Sequence, residues 1–179
     1  MSRIVAFSGP AGAGKSTAAS ILSARFGYER AMFAGGLKAM FRAYLHYRSI
    51  SHDIIDRMVE GDLKETTTPV LCGRSPRQIM LWLGTEFGRD LVHPDIWVET
   101  ERARLMMSDE KVAYCGLRFP NEAAMIRDLG GLVIRVEGRR GKTIAETHES
   151  EQHYVDPDLI IRNDGSIEDL ARRLADIIA

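Results

Sequence analysis

Gly9-Pro10-Ala11-Gly12-Ala13-Gly14-Lys15-Ser16 constrains this chain more than any other stretch, because it completes the pattern G-x-x-x-x-G-K-[ST] directly behind the apolar run Ile4-Val5-Ala6-Phe7. A polyphosphate needs many donors at close range, and glycines remove the Cβ atoms that stop successive backbone N–H groups from curling around its oxygens. Lys15 is placed to reach the outer phosphates and the Ser16 hydroxyl a Mg²⁺ ion, while the helix that follows turns its positive N-terminus toward the anion. The setting fits: residues 3–8 read as a buried strand, and Ala18, Ala19, Ile21, Leu22 and Phe26 recur at helical spacing up to a stop at Gly27. A loop that merely turns a strand into a helix is the competing reading, and the completeness of the motif weighs against it.

With 179 residues, 45% of them hydrophobic, the chain suffices for one well-buried core and is short for two ordinary domains, so a single domain over 1–179 is expected. A net charge of −1 supplies no basic field for polymeric nucleic acid. Cys72 and Cys115 lack metal-ligand spacing and read as reduced thiols of a cytoplasmic protein; no membrane-spanning run or export signal is evident.

Tyr28–Phe33 reads as a short strand, and Leu37–Glu60 as two helices broken near Ser49, with Leu37, Met40, Phe41, Tyr44 and Leu45 as the core stripe of the first. Residues 61–74 read as a mobile loop. Ser75-Pro76-Arg77-Gln78 is a helix start with a capping box, and the helix carries Ile79, Trp82, Leu83 and Phe87 on a buried side. At an α-helical 100° per residue, Gly84 and Gly88 each fall within about 20° of Arg77. Two glycines in one turn cost about 1 kcal/mol each relative to alanine, so something should approach that face closely, either another helix or a ligand bracketed by arginines. Ile96–Met107 reads as the next helix and Val112–Leu117 as a strand covered on both faces. Then come a helix ending at Leu129, a strand over Leu132–Val136, an exposed segment with the character of a lid over 138–153, a strand over 158–162 and a helix capped by Ser166. Arg118 and Glu122, leaving a strand at its carboxyl end, are expected on the same rim as the phosphate loop.

The loop fixes a donor nucleotide but not an acceptor. No guanine-reading N-K-x-D is present, whereas Arg77, Arg89 and Arg118 suit bidentate phosphate contacts and Trp97 and Phe119 suit a stacked base. These point to a nucleoside monophosphate. Each has a plain alternative: Arg89 pairs with Glu86, or Trp97 is core.

The blocks Gly9–Ser16, Ser75-Pro76-Arg77, Leu83-Gly84-Thr85-Glu86-Phe87-Gly88-Arg89-Asp90, Asp95-Ile96-Trp97-Val98, Arg118-Phe119-Pro120-Asn121-Glu122-Ala123 and His148-Glu149-Ser150-Glu151 together resemble the bacteriophage-type deoxynucleoside monophosphate kinase family. The resemblance implies an α/β P-loop kinase fold of three layers, a parallel sheet with helices on both faces, with an acceptor-binding helical region at about 35–108. It implies ATP- and Mg²⁺-dependent phosphorylation of deoxynucleoside monophosphates. By matching positions, Gly12, Ala13, Gly14, Lys15, Ser16 and Thr17 serve the donor, with Ser16 on the metal. Arg77, Gly84, Thr85, Arg89, Trp97, Arg118 and Glu122 line the acceptor pocket. Arg118 is shared with the chemistry, as are Lys15 and, by position in the lid only, Arg139 and Arg140.

Gly116 departs from the family, which commonly has an aspartate two residues before that arginine. Either Ser16 and the nucleotide phosphates suffice to hold Mg²⁺, with Glu122 or Asp95 in the outer shell, or transfer is impaired. The expected mechanism is in-line attack by the acceptor on the γ-phosphate, without a covalent intermediate, under a closed lid. A kinase for another small acceptor, such as dephospho-coenzyme A, and a nucleotide-binding regulator are the competing functions. Monomer and homodimer are both open.

Overall fold

The computed structural model describes residues 2–138 and 155–178. The chain forms two compact units, one built from Met1–Phe33 with Arg102–Ala179 and the other from Ala34–Glu101.

Among the described residues, the first unit is built on a five-stranded, all-parallel sheet. Its strands are β1 (Ile4–Ser8), β2 (Glu29–Ala31), β3 (Val112–Cys115), β4 (Leu132–Gly138) and β5 (Leu159–Asn163), in the spatial order β2-β3-β1-β4-β5. All five residues of β1 are buried, which explains its uninterrupted apolar run: a central parallel strand is covered on both faces and has no solvent side to mark by alternation. Two helices, α1 (Lys15–Phe26) and α7 (Ile167–Ile178), cover one face. Val5, Phe7, Ile134, Val136 and Ile161 pack there against Ala18, Ala19 and Leu22 of α1 and Leu170, Leu174 and Ile178 of α7. Helix α6 (Pro120–Asp128) packs its buried Met125 and Ile126 on the β1–β4 part of the sheet. Each such side chain contributes about 1.5–3 kcal/mol on full burial. Phe33 stacks on Tyr114 with ring centroids 4.8 Å apart.

The expected strands are all present, with no end displaced by more than two residues. β4 runs on to Gly138 because β5 pairs with it as far as Gly138 opposite Asn163. The expected strand at 112–117 stops at Cys115, because the chain turns at Gly116 (φ 90°).

The second unit is helical: α2 (Gly35–Tyr47), α3 (His52–Val59), a 3-10 turn (Pro69–Leu71), α4 (Pro76–Trp82) continued by π-helical turns over Leu83–Val92, and the first half of α5 (Ile96–Met106). Leu37, Phe41, Leu45, Ile55, Met58, Val59, Leu71, Met80 and Trp97 form its core. The break between α2 and α3 falls at Ser49, which adopts a left-handed φ of 58°. Met40 and Tyr44 flank the expected stripe rather than fill it and stay half exposed. Residues 61–74 are tied down locally: Arg57 pairs with Asp62 at 2.8 Å, Thr68 caps the 3-10 turn, and the Thr68 N–H bonds the Arg74 carbonyl at 3.1 Å.

The helix after Ser75 corrects two expectations. Ser75 and Gln78 do form the capping box, but regular α-geometry ends at Trp82, and the His93 N–H reaches back five residues to the Gly88 carbonyl at 3.0 Å. Wider turns advance each residue by less than 100°, so the common face computed for Arg77, Gly84 and Gly88 does not persist beyond Trp82. Trp82 and Phe87, expected inside, are about two-fifths exposed at 42% and 41%. The Arg74 guanidinium lies over the Trp82 ring, 5.5 Å from its centroid, so that aromatic face is covered by a cation instead of the core.

Candidate active site

In the first unit the phosphate loop leaves the carboxyl end of β1 and enters α1. Gly14 is the N-cap of α1 at φ 105°, a conformation that an L side chain rarely adopts. With no side chain at the cap, the first-turn N–H groups of Lys15, Ser16 and Thr17 face the loop's concavity, where the helix dipole favours an anion. The Ala13 N–H closes a turn onto the Pro10 carbonyl at 3.2 Å. Lys15 Nζ donates to the carbonyl oxygens of Gly9 (2.7 Å) and Pro10 (2.8 Å), which holds the ammonium over the loop. The donors a polyphosphate requires, several amides and one mobile cation, are therefore assembled in one place. Among the described residues no group of three or more His, Cys, Asp or Glu side chains is placed to hold a metal. A Mg²⁺ ion in this loop would rely on Ser16, water and the phosphates, the arrangement this strongly hydrated ion commonly adopts.

β3 ends beside β1, and the N–H groups of Gly116 and Leu117 both reach the Phe7 carbonyl, at 3.2 and 3.0 Å. Arg118 thus leaves the same rim as the loop, and its side chain is exposed. Glu122 is 3% exposed, and its Oε2 accepts from the backbone N–H of Arg118 at 2.8 Å and of Phe119 at 3.2 Å. This is the return half of a capping box at the start of α6, and the N-terminal dipole also favours the buried carboxylate. Glu122 accordingly anchors the Arg118 backbone. Gly116 holds φ 90° with nothing within 4 Å of a would-be Cβ, so backbone conformation, not space, selects glycine there.

The remaining expected site residues lie in the helical unit. Arg77 lies in the first turn of α4, its N–H on the Lys64 carbonyl at 2.9 Å and its guanidinium 3.6 Å from Glu65. Burial, reinforced by the charges of Lys38 and Arg77, holds the Lys64 ammonium below the usual lysine range. Arg89 donates to the Pro94 carbonyl at 3.3 Å, and Thr85 is half-buried one residue past Gly84. Trp97 is 3% exposed; its Nε1–H donates to the Gly84 carbonyl at 2.8 Å and its ring lies against Gly88. Between its two readings, base platform and core, Trp97 takes the packing position. The close approach foreseen at the two glycines is made by the chain itself, with Trp97 at Gly88 and Leu37 at Gly84. Arg139, Arg140 and the expected lid beyond Gly138 lie outside the described residues. Asn163 was not foreseen: it falls just past the strand expected over 158–162, yet it donates to the Ala13 carbonyl of the phosphate loop at 2.9 Å. Both cysteines are free thiols.

Residues 64–174 match the family model described as deoxynucleotide monophosphate kinase. A protein of Acanthamoeba polyphaga mimivirus that carries the name deoxynucleotide monophosphate kinase is 30% identical over 183 residues, covering 93% of this chain and 91% of the relative. The deoxynucleoside-5'-monophosphate kinase of Escherichia phage T5 is 34% identical over 102 residues, covering 51% of this chain and 41% of that protein. Among solved structures, TT1252 from Thermus thermophilus matches with a TM-score of 0.52 at 20% identity, covering 98% of this chain and 95% of that one. Dephospho-CoA kinase from Campylobacter jejuni matches with a TM-score of 0.50 at 16% identity, covering 99% and 96%. At these identities the structural matches establish the α/β fold.

Proposed function

Because the chain belongs to the deoxynucleotide monophosphate kinase family, we propose that it transfers the γ-phosphoryl group of ATP to the phosphate of a deoxynucleoside monophosphate, yielding the diphosphate and ADP. The observation that carries the donor half is the loop at residues 9–16, where a cation and the first-turn amides of α1 converge. The family carries the acceptor half.

In this reading the amides of Gly12, Ala13, Gly14, Lys15, Ser16 and Thr17 hold the donor phosphates. Lys15 exchanges the Gly9 and Pro10 carbonyls for phosphate oxygens, a short movement that needs no change of backbone. Bound Mg²⁺ would supply charge neutralisation at the donor phosphates, with Ser16 as its protein ligand. Arg118, fixed through its backbone by Glu122, meets the negative charge shared by acceptor and transferred group. Arg77, Thr85 and Arg89 orient the acceptor, and Gly84 and Trp97 shape that region by packing. Arg139 and Arg140 would supply further positive charge from the lid, whose closure excludes water. Catalysis is then positioning plus electrostatics, as phosphoryl transfer requires.

The test is a coupled ADP-release assay with ATP and Mg²⁺ against a panel of deoxy- and ribonucleoside monophosphates, with dephospho-coenzyme A included and Lys15→Ala as the control. Release that depends on a deoxynucleoside monophosphate and disappears in the control is the expected result. Release with dephospho-coenzyme A alone, or ATP binding without turnover on any acceptor, would overturn the assignment.

A further inference from the structure

We propose that Asn163 is a positioning residue of the donor site: it aims the Gly14 amide at the nucleotide by holding the other side of the same peptide plane. The proposal rests on reading the loop as the donor nucleotide site.

Along β5, Leu159, Ile161 and Asn163 point to one face of the sheet, and Ile161 is buried in the core that contains α1. The same alternation carries the Asn163 side chain to the α1 side at the carboxyl end of the strand, behind the phosphate loop. There its Nδ2 donates to the Ala13 carbonyl at 2.9 Å. The Ala13–Gly14 peptide is planar and trans, so its C=O and N–H point in opposite directions. A carbonyl held toward Asn163 therefore turns the Gly14 N–H away from the sheet and toward the loop's concavity.

Two further contacts show that the carboxamide is built into this position. A Cβ on Gly14 would lie 2.3 Å from Asn163 Nδ2 and 3.3 Å from its Cγ, so the amide fills the volume the glycine leaves open. Gly138, the register partner of Asn163 on β4, approaches so closely that a Cβ there would lie 3.1 Å from Ala13 Cα. The ends of two neighbouring strands thus back the Ala13–Gly14 peptide. Ala13 itself is fully buried, at 0% exposure, so its carbonyl depends on a protein partner such as Asn163.

The carboxamide matters chemically because it donates. Asn163→Asp keeps the shape but presents an acceptor to an acceptor and adds negative charge behind the phosphate site. Asn163→Ala removes the donor and adds no charge. Calorimetric titration of Mg-ADP and Mg-ATP onto the full-length protein, with steady-state constants for both substrates, reads the difference. The expected result is about tenfold weaker donor binding in Asn163→Ala and a further loss in Asn163→Asp, with the acceptor KM within about twofold of wild type.

Unchanged donor affinity, or equal losses for donor and acceptor, would overturn the role. Circular dichroism checks the fold of each variant, and if Asn163→Asp does not fold, Asn163→Ala alone decides. A wild-type protein that binds ATP but phosphorylates no monophosphate would refute the kinase assignment and leave the binding comparison intact. Wild-type protein that binds no adenine nucleotide would refute this proposal.

Discussion

Gly88 lies so close to Trp97 that a Cβ on the glycine would come within 2.6 Å of Cζ2 and 2.7 Å of Nε1 of the indole. The indole cannot retreat freely, because its N–H is engaged by the Gly84 carbonyl. Gly88→Ala is therefore expected to destabilise the protein by about 1–3 kcal/mol, the usual cost of overpacking a closed core. Urea denaturation followed by tryptophan fluorescence measures it, and a loss below about 0.5 kcal/mol would show that the notch yields.

Lys15→Ala should lower kcat by about 10²–10³-fold, the scale on which a single electrostatic donor to developing charge acts. The loop carbonyls that its ammonium bonds are partly buried, so the thermal midpoint should shift little. The two readouts together separate loss of chemistry from loss of fold.

Gly116→Asp restores the residue type the family commonly carries, but into a backbone at φ 90°. A non-glycine residue in such a conformation costs about 1–3 kcal/mol. We expect lower stability and no gain in turnover. A large gain in kcat would mean that the carboxylate is a missing part and that the backbone adapts to admit it.

Glu122→Ala should cost about 2–4 kcal/mol, since it strips the acceptor from the N–H groups of Arg118 and Phe119 at a buried helix start. Glu122→Gln keeps an acceptor oxygen and should retain more of both stability and turnover. Equal damage from the two would assign the effect to charge and not to backbone anchoring.

Asp169 accepts from the N–H and hydroxyl of Ser166, at 3.0 and 2.9 Å, and these bonds hold its carboxyl below the usual aspartate range. A lowered folded-state pKa contributes stability above the unfolded value near 3.8, and that contribution is lost as pH falls through the folded value. Wild type should therefore lose more thermal stability than Asp169→Asn on acidification below about pH 4. Parallel melting curves at pH 6 and pH 3 test this, and identical slopes would contradict it.

The middle of the parallel sheet was legible because β1 and β3 are apolar runs with almost no solvent side, and because Gly27, Gly130 and Gly131 punctuate the helices. The donor loop was legible because its residues are contiguous. The helix after Ser75 was legible at its start, where Ser75 and Gln78 cap within four residues, but not in its continuation. Where the π-helical turns begin, the Gly84 carbonyl also accepts from the Trp97 indole, a partner thirteen residues away that local sequence does not announce. Phe87 was misplaced because α-helical spacing was applied to π-helical turns, whereas Trp82 still lies in the α-helical part and its ring is covered by Arg74. Asn163 left no local signal, because its role exists only once two distant parts of the chain meet.

That meeting has a consequence for how the molecule is made. The carbonyl of Ala13 receives the Asn163 amide from 150 positions further along the chain. β1 and α1 are synthesised before β5, yet the back of their loop is completed by β5. Contacts of such long separation form late, because closing the chain over that distance costs entropy before any contact repays it. A growing chain therefore carries an unfinished loop until β5 has emerged, which delays nucleotide capture until the other described strands of the sheet are in place.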